Sequence, residues 1–177
     1  MTPTLLLSYF LGGGGGVAFA IEGAEHSTAG LQLSAFALQT PARHAIVPSL
    51  GVWASYTPRP WGLTGELSLT RRAKSNDFYG VSTQLMRASA VAELAMGTRP
   101  MTVHLGVGPA LTVSSARTEW GETDSERITR ADLGLRARVA LDGPLGERLA
   151  WSWQVGAASR GVYNWDYDLG AGIGVQW

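Results

Sequence analysis

The chain has 177 residues, enough for one compact domain, and 23 of them are glycine. Charged residues make up only 16% and the formal net charge at pH 7 is zero, so the composition gives no reason to expect a nucleic-acid partner. The absence of cysteine excludes disulfides, thiolate metal sites, a cysteine nucleophile and a lipid-modified cysteine.

The N-terminal segment allows two interpretations. It contains an apolar run, and residues 18–20 form the A-x-A pattern that precedes a signal-peptidase cut. No lysine or arginine lies near the start, however, and consecutive glycines interrupt the apolar run. Residues 1–20 are therefore predicted to be a signal peptide or, alternatively, to supply two extra strands at 4–11 and 17–22. Residues 21–177 are predicted to form a single domain.

Alternation of apolar with polar or glycine residues runs through the rest of the chain, and this period of two is the signal of a β-strand. No apolar run reaches the roughly 18 residues of a membrane helix. The pattern predicts eight strands, near 30–39, 46–57, 61–71, 82–97, 100–113, 127–141, 148–158 and 164–177. If the N-terminal segment adds two more, the count becomes ten.

The connections between the predicted strands alternate in length. Short turns rich in proline and glycine are predicted at 57–60, 97–100 and 142–147. Longer polar connections are predicted at 71–81, 114–127 and 159–164, with a modest one at 40–46. Short turns on the periplasmic side and long loops outside are typical of outer-membrane barrels. The fold class predicted is therefore all-β, an antiparallel up-and-down transmembrane β-barrel.

The polar face of the strands combines small residues with charges of both signs, which suits the interior of a narrow barrel better than the surface of a soluble sandwich or lipocalin-like barrel. We expect these charges to pair, because an isolated charge in the lumen is costly. Glu93, His104 and Arg138 are predicted to lie at similar depth. The predicted lumen charges are Glu66, Arg87, Glu93, His104, Arg130, Asp132, Arg136, Arg138, Asp166 and Asp168.

Aromatic residues gather near both ends of the predicted strands. Trp and Tyr prefer the interface between lipid and water, so two such girdles indicate a membrane-spanning band. From Trp165 to Trp177 the last strand spans about 30 Å of membrane normal. The predicted girdle residues are Tyr56, Trp61 and Trp151 beside the short turns, and Tyr163 and Trp165 at the opposite end.

The last strand carries a further pattern, in which alternate apolar residues end in an aromatic one. Its members are Tyr167, Leu169, Ala171, Ile173, Val175 and Trp177. This segment resembles the C-terminal strand signal of outer-membrane barrels, and the chain from about residue 30 resembles the small OmpA/OmpX-type barrels. The resemblance implies a bacterial outer-membrane location, contact with outer-membrane lipids and lipopolysaccharide, and assembly by the barrel-assembly machinery. We expect a monomer.

The function predicted is a structural or surface-interaction role, with the lumen filled by a polar charge network. A narrow channel for ions or small solutes is the alternative, because lumenal glycines leave space. A lipid-modifying enzyme is expected less, because His26 and Ser27 are adjacent and neighbouring side chains of a strand face opposite ways. No enzyme activity, cofactor or metal site is expected.

Overall fold

The structure is a computed structural model, and the part of the chain that it describes contains only strands and connections. It describes residues 5–7, 19–21, 26–39, 44–58, 60–75, 79–97, 100–120, 124–160 and 164–177. Among these residues, no helix is long and apolar enough to cross a bilayer.

Two short N-terminal strands, β1 (Leu5–Leu7) and β2 (Phe19–Ile21), pair with each other in a separate two-stranded sheet. The other strands form a closed barrel of eight. They are β3 (His26–Gln39), β4 (His44–Thr57), β5 (Trp61–Ser75), β6 (Tyr79–Met96), β7 (Thr102–Trp120), β8 (Asp124–Pro144), β9 (Leu149–Arg160) and β10 (Asn164–Gln176). The prediction of eight barrel strands is confirmed, and the alternative of ten is wrong.

The barrel has up-and-down topology, because every strand pairs antiparallel with its neighbours in the sequence and β10 pairs with β3 to close the ring. At the seam, the Trp177 N–H donates to the Ser27 carbonyl at 3.0 Å. Closure satisfies the backbone hydrogen bonds between strands, the condition for a sheet that crosses a membrane. We call the end with the connections at 58–60, 97–101 and 145–148 the turn end, and the opposite end the loop end.

The strands extend further at the loop end than predicted. Pairing between β5 and β6 continues to Ser75 and Gly80, and pairing between β7 and β8 continues to Trp120 and Asp124. The long polar connections predicted at 71–81 and 114–127 are therefore wrong over most of their length. The sequence pattern ends each strand where the alternating apolar residues end. The backbone hydrogen bonds of a hairpin do not need an apolar face, so the strands continue further.

This extra length is confined to one side of the barrel. Pairing of β4 with β5 stops at Ser49 and Thr70, and pairing of β8 with β9 stops at Arg136 and Ala158. Beyond these points β5, β6, β7 and β8 stay paired with one another as a sheet, while β3 and β4 stay paired only with each other, to Gln39 and His44. We call the four-stranded sheet the outer extension; it comprises residues 71–75, 79–84, 114–120 and 124–130.

The two faces of the barrel wall differ in chemistry as predicted. Large apolar side chains point outward, and Leu135, for example, is 57% exposed. Other outward apolar residues include Leu31, Leu33, Leu50, Leu63, Leu67, Leu105, Leu133, Leu169 and Ile173. An apolar belt of this size is stable against lipid rather than water. The inward positions carry small, polar and charged residues.

Candidate functional site

Ten ionisable side chains form a continuous chain of polar contacts through the lumen, and carboxylates alternate with arginine or histidine along it. In order from the turn end to the loop end they are Asp142, His104, Glu93, Arg138, Glu66, Arg136, Asp168, Arg87, Asp166 and Arg160. We call this chain the lumen network. It joins residues of β5, β6, β7, β8, β9 and β10, so it crosses most of the barrel wall.

At the turn end, His104 lies between two carboxylates. Its Nε2 is 2.5 Å from Asp142 Oδ1, and its Nδ1 is 3.2 Å from Glu93 Oε2. Glu93 also pairs with Arg138 and accepts a hydrogen bond from Thr64 Oγ1 at 2.9 Å. The predicted common depth of Glu93, His104 and Arg138 therefore matches their contacts.

Glu93 reaches Arg138 across an intervening strand, because Gly106 of β7 lies between them as cross-strand partner of both. A Cβ at Gly106 would come within 2.7 Å of Glu93 Cγ. Arg136 uses the same device at β9, where a Cβ at Gly156 would lie 2.6 Å from its Nη1. The lumenal glycines thus leave space that long charged side chains occupy.

The middle of the lumen network is built around Glu66. Its carboxylate lies 3.0 Å from Arg138 Nε and 2.5 Å from Arg136 Nε. Arg136 turns its two terminal nitrogens to Asp168, at 2.6 and 3.0 Å, in a bidentate pair. Arg138 Nε also donates to Gln154 Oε1 at 2.7 Å. Each of these charges has partners of opposite sign, which offsets the cost of burying it.

Toward the loop end, Arg87 contacts two aspartates. Its Nη2 is 2.9 Å from Asp166 Oδ2, and its Nη1 is 3.6 Å from Asp168 Oδ2. Its guanidinium carbon stands 4.5 Å from the ring centroid of Phe36, in cation–π geometry. Arg160 completes the lumen network by holding Asp166 at 2.7 Å.

Sequence reasoning missed the two ends of the lumen network. Asp142 was assigned to a turn and Arg160 to a loop, yet each continues the period-two polar face of its strand, beyond Arg138 on β8 and beyond Gln154 on β9. Asp142 and Arg160 are also its most exposed members, at 30% and 20% of the side chain. Extending the alternation by a few residues would have found both.

Two predicted lumen residues lie apart from the lumen network. Arg130 donates from Nε to Asp132 Oδ1 at 2.7 Å, but the Arg130 side chain is 72% exposed. Both residues sit on β8 above the level where β9 ends its pairing, so this pair lies at the open mouth beside the outer extension.

Apolar and aromatic side chains fill much of the remaining lumen. Phe36, Val47 and Leu85 form a buried cluster on the loop-end side of the barrel. Nearer the turn end, the indole of Trp53 lies against two glycines: a Cβ at Gly172 would be 3.1 Å from Trp53 Nε1, and a Cβ at Gly174 would be 3.0 Å from Trp53 Cζ2. These glycines provide the slot that holds the indole.

The voids along the lumen network are small. One of about 20 Å³ lies beside Arg87, Arg136 and Asp168, and another of about 10 Å³ lies beside Glu93 and Arg138. A void of this size holds a single water at most. A larger cavity of about 430 Å³ opens at the turn end and is lined by residues that include His104 and Asp142.

The predicted assembly-signal residues all face outward. Tyr167, Leu169, Ile173, Val175 and Trp177 are exposed large apolar or aromatic side chains, and Ala171 is exposed with them. Of the predicted girdle residues, Tyr56, Trp61 and Trp165 are exposed on the outer wall, whereas Trp151 is half-buried against Gly143. The predicted girdle residue Tyr163 lies outside the described residues.

The described residues hold no group of His, Asp and Glu arranged to bind a metal ion. His26 and Ser27 are consecutive residues of β3, the arrangement that counted against a nucleophile–base pair in the sequence.

Similar solved structures are small outer-membrane barrels. Ail, the attachment invasion locus protein of Yersinia pestis, matches with a TM-score of 0.63 at 14% identity over 89% of this chain and 100% of that chain. Neisserial surface protein A matches with a TM-score of 0.62 at 14% identity over 85% of this chain and 96% of that one. The N-terminal barrel domain of Pseudomonas aeruginosa OprF matches with 0.55 at 11% identity over 88% and 100%.

No protein-family model and no curated protein matches the chain. The fold and its apolar outer belt nevertheless define a class, the eight-stranded membrane-spanning β-barrels of the bacterial outer-membrane type. Within that class, the fold is shared with Ail and Neisserial surface protein A.

Proposed function

We propose that this chain is an outer-membrane barrel closed to ions and small solutes, which anchors the outer extension at the cell surface. The observation that carries the proposal is the lumen network. Its ten charges are paired along the length of the lumen. An open aqueous pore would leave such charges facing water, with continuous volume beside them.

The filling of the lumen supports closure by two different means. Around Glu66 and Arg136 the space is taken by paired ions, and voids there are no larger than about one water. Around Phe36 the space is taken by apolar side chains. Apolar constrictions resist wetting, so an ion meets a barrier of a second kind at the loop end.

The outer extension supports the surface-interaction part of the proposal. Its edge strands β5 and β8 have no pairing with β4 and β9 at this level, and its residues are mostly exposed and polar. One of the proteins with this fold, Ail, is named as an attachment invasion locus protein. A closed barrel is a rigid support for such a sheet.

We also propose that the barrel-assembly machinery reads the last strand. The outward row of β10 ends in an exposed aromatic residue, Trp177, directly at the seam with β3. An assembly factor that approaches the unclosed barrel would meet this row.

Single-channel recording of the purified protein in planar bilayers tests the closed lumen. We expect no discrete conductance steps from the wild-type protein, checked for folding by heat-modifiable mobility on gels. A Phe36→Ala, Arg87→Ala variant removes the cation–π pair and serves as the comparison with a loosened lumen. Discrete steps from folded wild-type barrels would contradict closure and support the narrow channel.

A further inference from the structure

The outward face of the outer extension begins at a common boundary on four strands. The last apolar row consists of Leu69, Met86, Val113 and Ala131, which are successive cross-strand partners. The next outward row consists of Arg71, Gln84, Ser115 and Thr129, and the row after it of Ala73, Ser82, Arg117 and Arg127. The change from apolar to polar therefore follows one line of paired residues.

Two arginines oppose each other in the second polar row. Arg117 and Arg127 are direct cross-strand partners, and both are exposed on the outward face. Like charges placed directly opposite in an antiparallel pair destabilise it. An anion bound between the two guanidinium groups would relieve this repulsion.

The surroundings of the pair leave its charge largely uncompensated. Arg117 Nε lies 3.1 Å from Glu119 Oε1, but both side chains are more than half exposed. Arg127 Nε donates to the hydroxyl of Ser115 at 2.9 Å, and within the described ranges no carboxylate forms an ion pair with it. Arg71, in the first polar row, adds a third positive charge on the same face.

The height of these arginines matches the headgroup layer of a membrane. Successive outward positions on a tilted strand differ by about 5 Å along the membrane normal. Arg71 thus lies about 5 Å beyond Leu69, the last outward apolar residue of its own strand, and Arg117 and Arg127 each lie about 10 Å beyond the last outward apolar residue of theirs. Their side chains leave the barrel on the face that the lipid contacts below.

We propose that Arg117 and Arg127, supported by Arg71, bind the phosphate groups of lipid headgroups in the outer leaflet. The inference rests on the proposed function, which places the loop end outside the cell. Guanidinium groups match phosphate oxygens in bidentate geometry, so two opposed arginines hold one phosphate from both sides. The outward direction of the side chains favours a lipid over a soluble anionic glycan.

Thermal unfolding in reconstituted vesicles tests the site. The unfolding temperature is measured in vesicles of a phosphate-free lipid, digalactosyl diacylglycerol, with and without lipid A carrying its phosphates, and with dephosphorylated lipid A. We expect phosphorylated lipid A to raise the unfolding temperature of the wild-type protein and dephosphorylated lipid A to have no such effect. In the Arg117→Gln, Arg127→Gln double variant, phosphorylated lipid A should raise the unfolding temperature much less than in the wild-type protein.

Arg72→Gln is the matched control, because Arg72 is an exposed arginine of the same sheet on the opposite face. It should keep the wild-type response. An equal loss in Arg72→Gln, or an unchanged response in the double variant, would overturn the site. So would a wild-type protein that is stabilised by a soluble sulfated polysaccharide but not by lipid A. If the wild-type barrel does not conduct and its unfolding temperature does not respond to lipid A, the headgroup site is overturned but the closed lumen is not.

Discussion

Two ion pairs on strand β8 show how the embedded barrel differs from the outer extension. Arg138 pairs with Glu93 and Glu66 inside the barrel, where all three side chains are buried. Arg130, on the same inward face of the same strand, pairs with Asp132 at the open mouth, and its side chain is 72% exposed. The residue types are alike, but a partner lost from the buried pair leaves a charge with little access to water. Burial decides what each pair contributes.

Breaking the buried pair should have the largest effect. Glu93→Ala strands Arg138 and His104 in the lumen, and removing one partner of a buried pair typically costs about 3–5 kcal/mol. We expect a loss of that size in the free energy of unfolding, measured by denaturant titration of the barrel in lipid vesicles. Asp132→Ala removes a carboxylate that is 12% exposed but leaves behind an arginine that is 72% exposed and can be solvated, so it should cost less, about 1 kcal/mol.

A double-mutant cycle sharpens the same test. Arg138→Ala added to Glu93→Ala should recover part of the loss, because the stranded charge is then removed as well. A coupling energy near zero between these two positions would show that water screens them, and the closed lumen would be wrong. Equal losses from Glu93→Ala and Asp132→Ala would remove the distinction between the two regions.

Two exposed apolar residues of β8 provide a second comparison. Leu135 lies on the outward face of the barrel, and Ile128 lies on the inward face of the outer extension. Leu135 and Ile128 are similarly exposed, at 57% and 62%, but Leu135 lies in the apolar belt and Ile128 in the outer extension. Leu135→Arg places a charge in lipid and should cost about 2–4 kcal/mol if it lies near mid-depth. Ile128→Arg faces water and should change stability by about 0.5 kcal/mol or less.

The same denaturant titration measures both variants. If Leu135→Arg proves neutral, the outer wall does not contact lipid at that height. If Ile128→Arg is as costly as Leu135→Arg, the outer extension is not in water.

The two ends of β10 should differ in assembly rather than in stability. Trp177→Ser and Trp165→Ser each remove an exposed aromatic from the outer wall, so the refolded barrels should lose similar, modest stability of about 1 kcal/mol. Only Trp177→Ser should lower the amount of heat-modifiable barrel in cell membranes, because Trp177 ends the proposed assembly signal. Unchanged assembly of that variant, or equal impairment by Trp165→Ser, would contradict the signal.

Much of the lumen network could be predicted from the sequence. The alternation of side chains along a strand tells which face a residue lies on, and its distance from the nearest turn tells its depth in the barrel. Glu93, His104 and Arg138 were placed together in this way. Glu66 and Arg136 were likewise expected to pair in the periplasmic half of the lumen. The contact of Arg136 with Asp168 was not expected, since the sequence pattern places Asp168 nearer the outer half. Their meeting depends on the closed ring and on the glycines that let side chains pass over a strand.

The sequence by itself determined which residues face lipid and which face the lumen. Successive side chains of a strand point to opposite faces, so the apolar set faces lipid and the polar set faces the lumen. It also favoured eight barrel strands over ten, and the structure decided for eight. Only the tertiary structure decided how far the strands continue and which charges pair. The outer extension is held by backbone hydrogen bonds, and its residues show no alternation of apolar and polar side chains from which its strands could be predicted. The order of charges from Asp142 to Arg160 follows from the register around the ring, and no local pattern records that register.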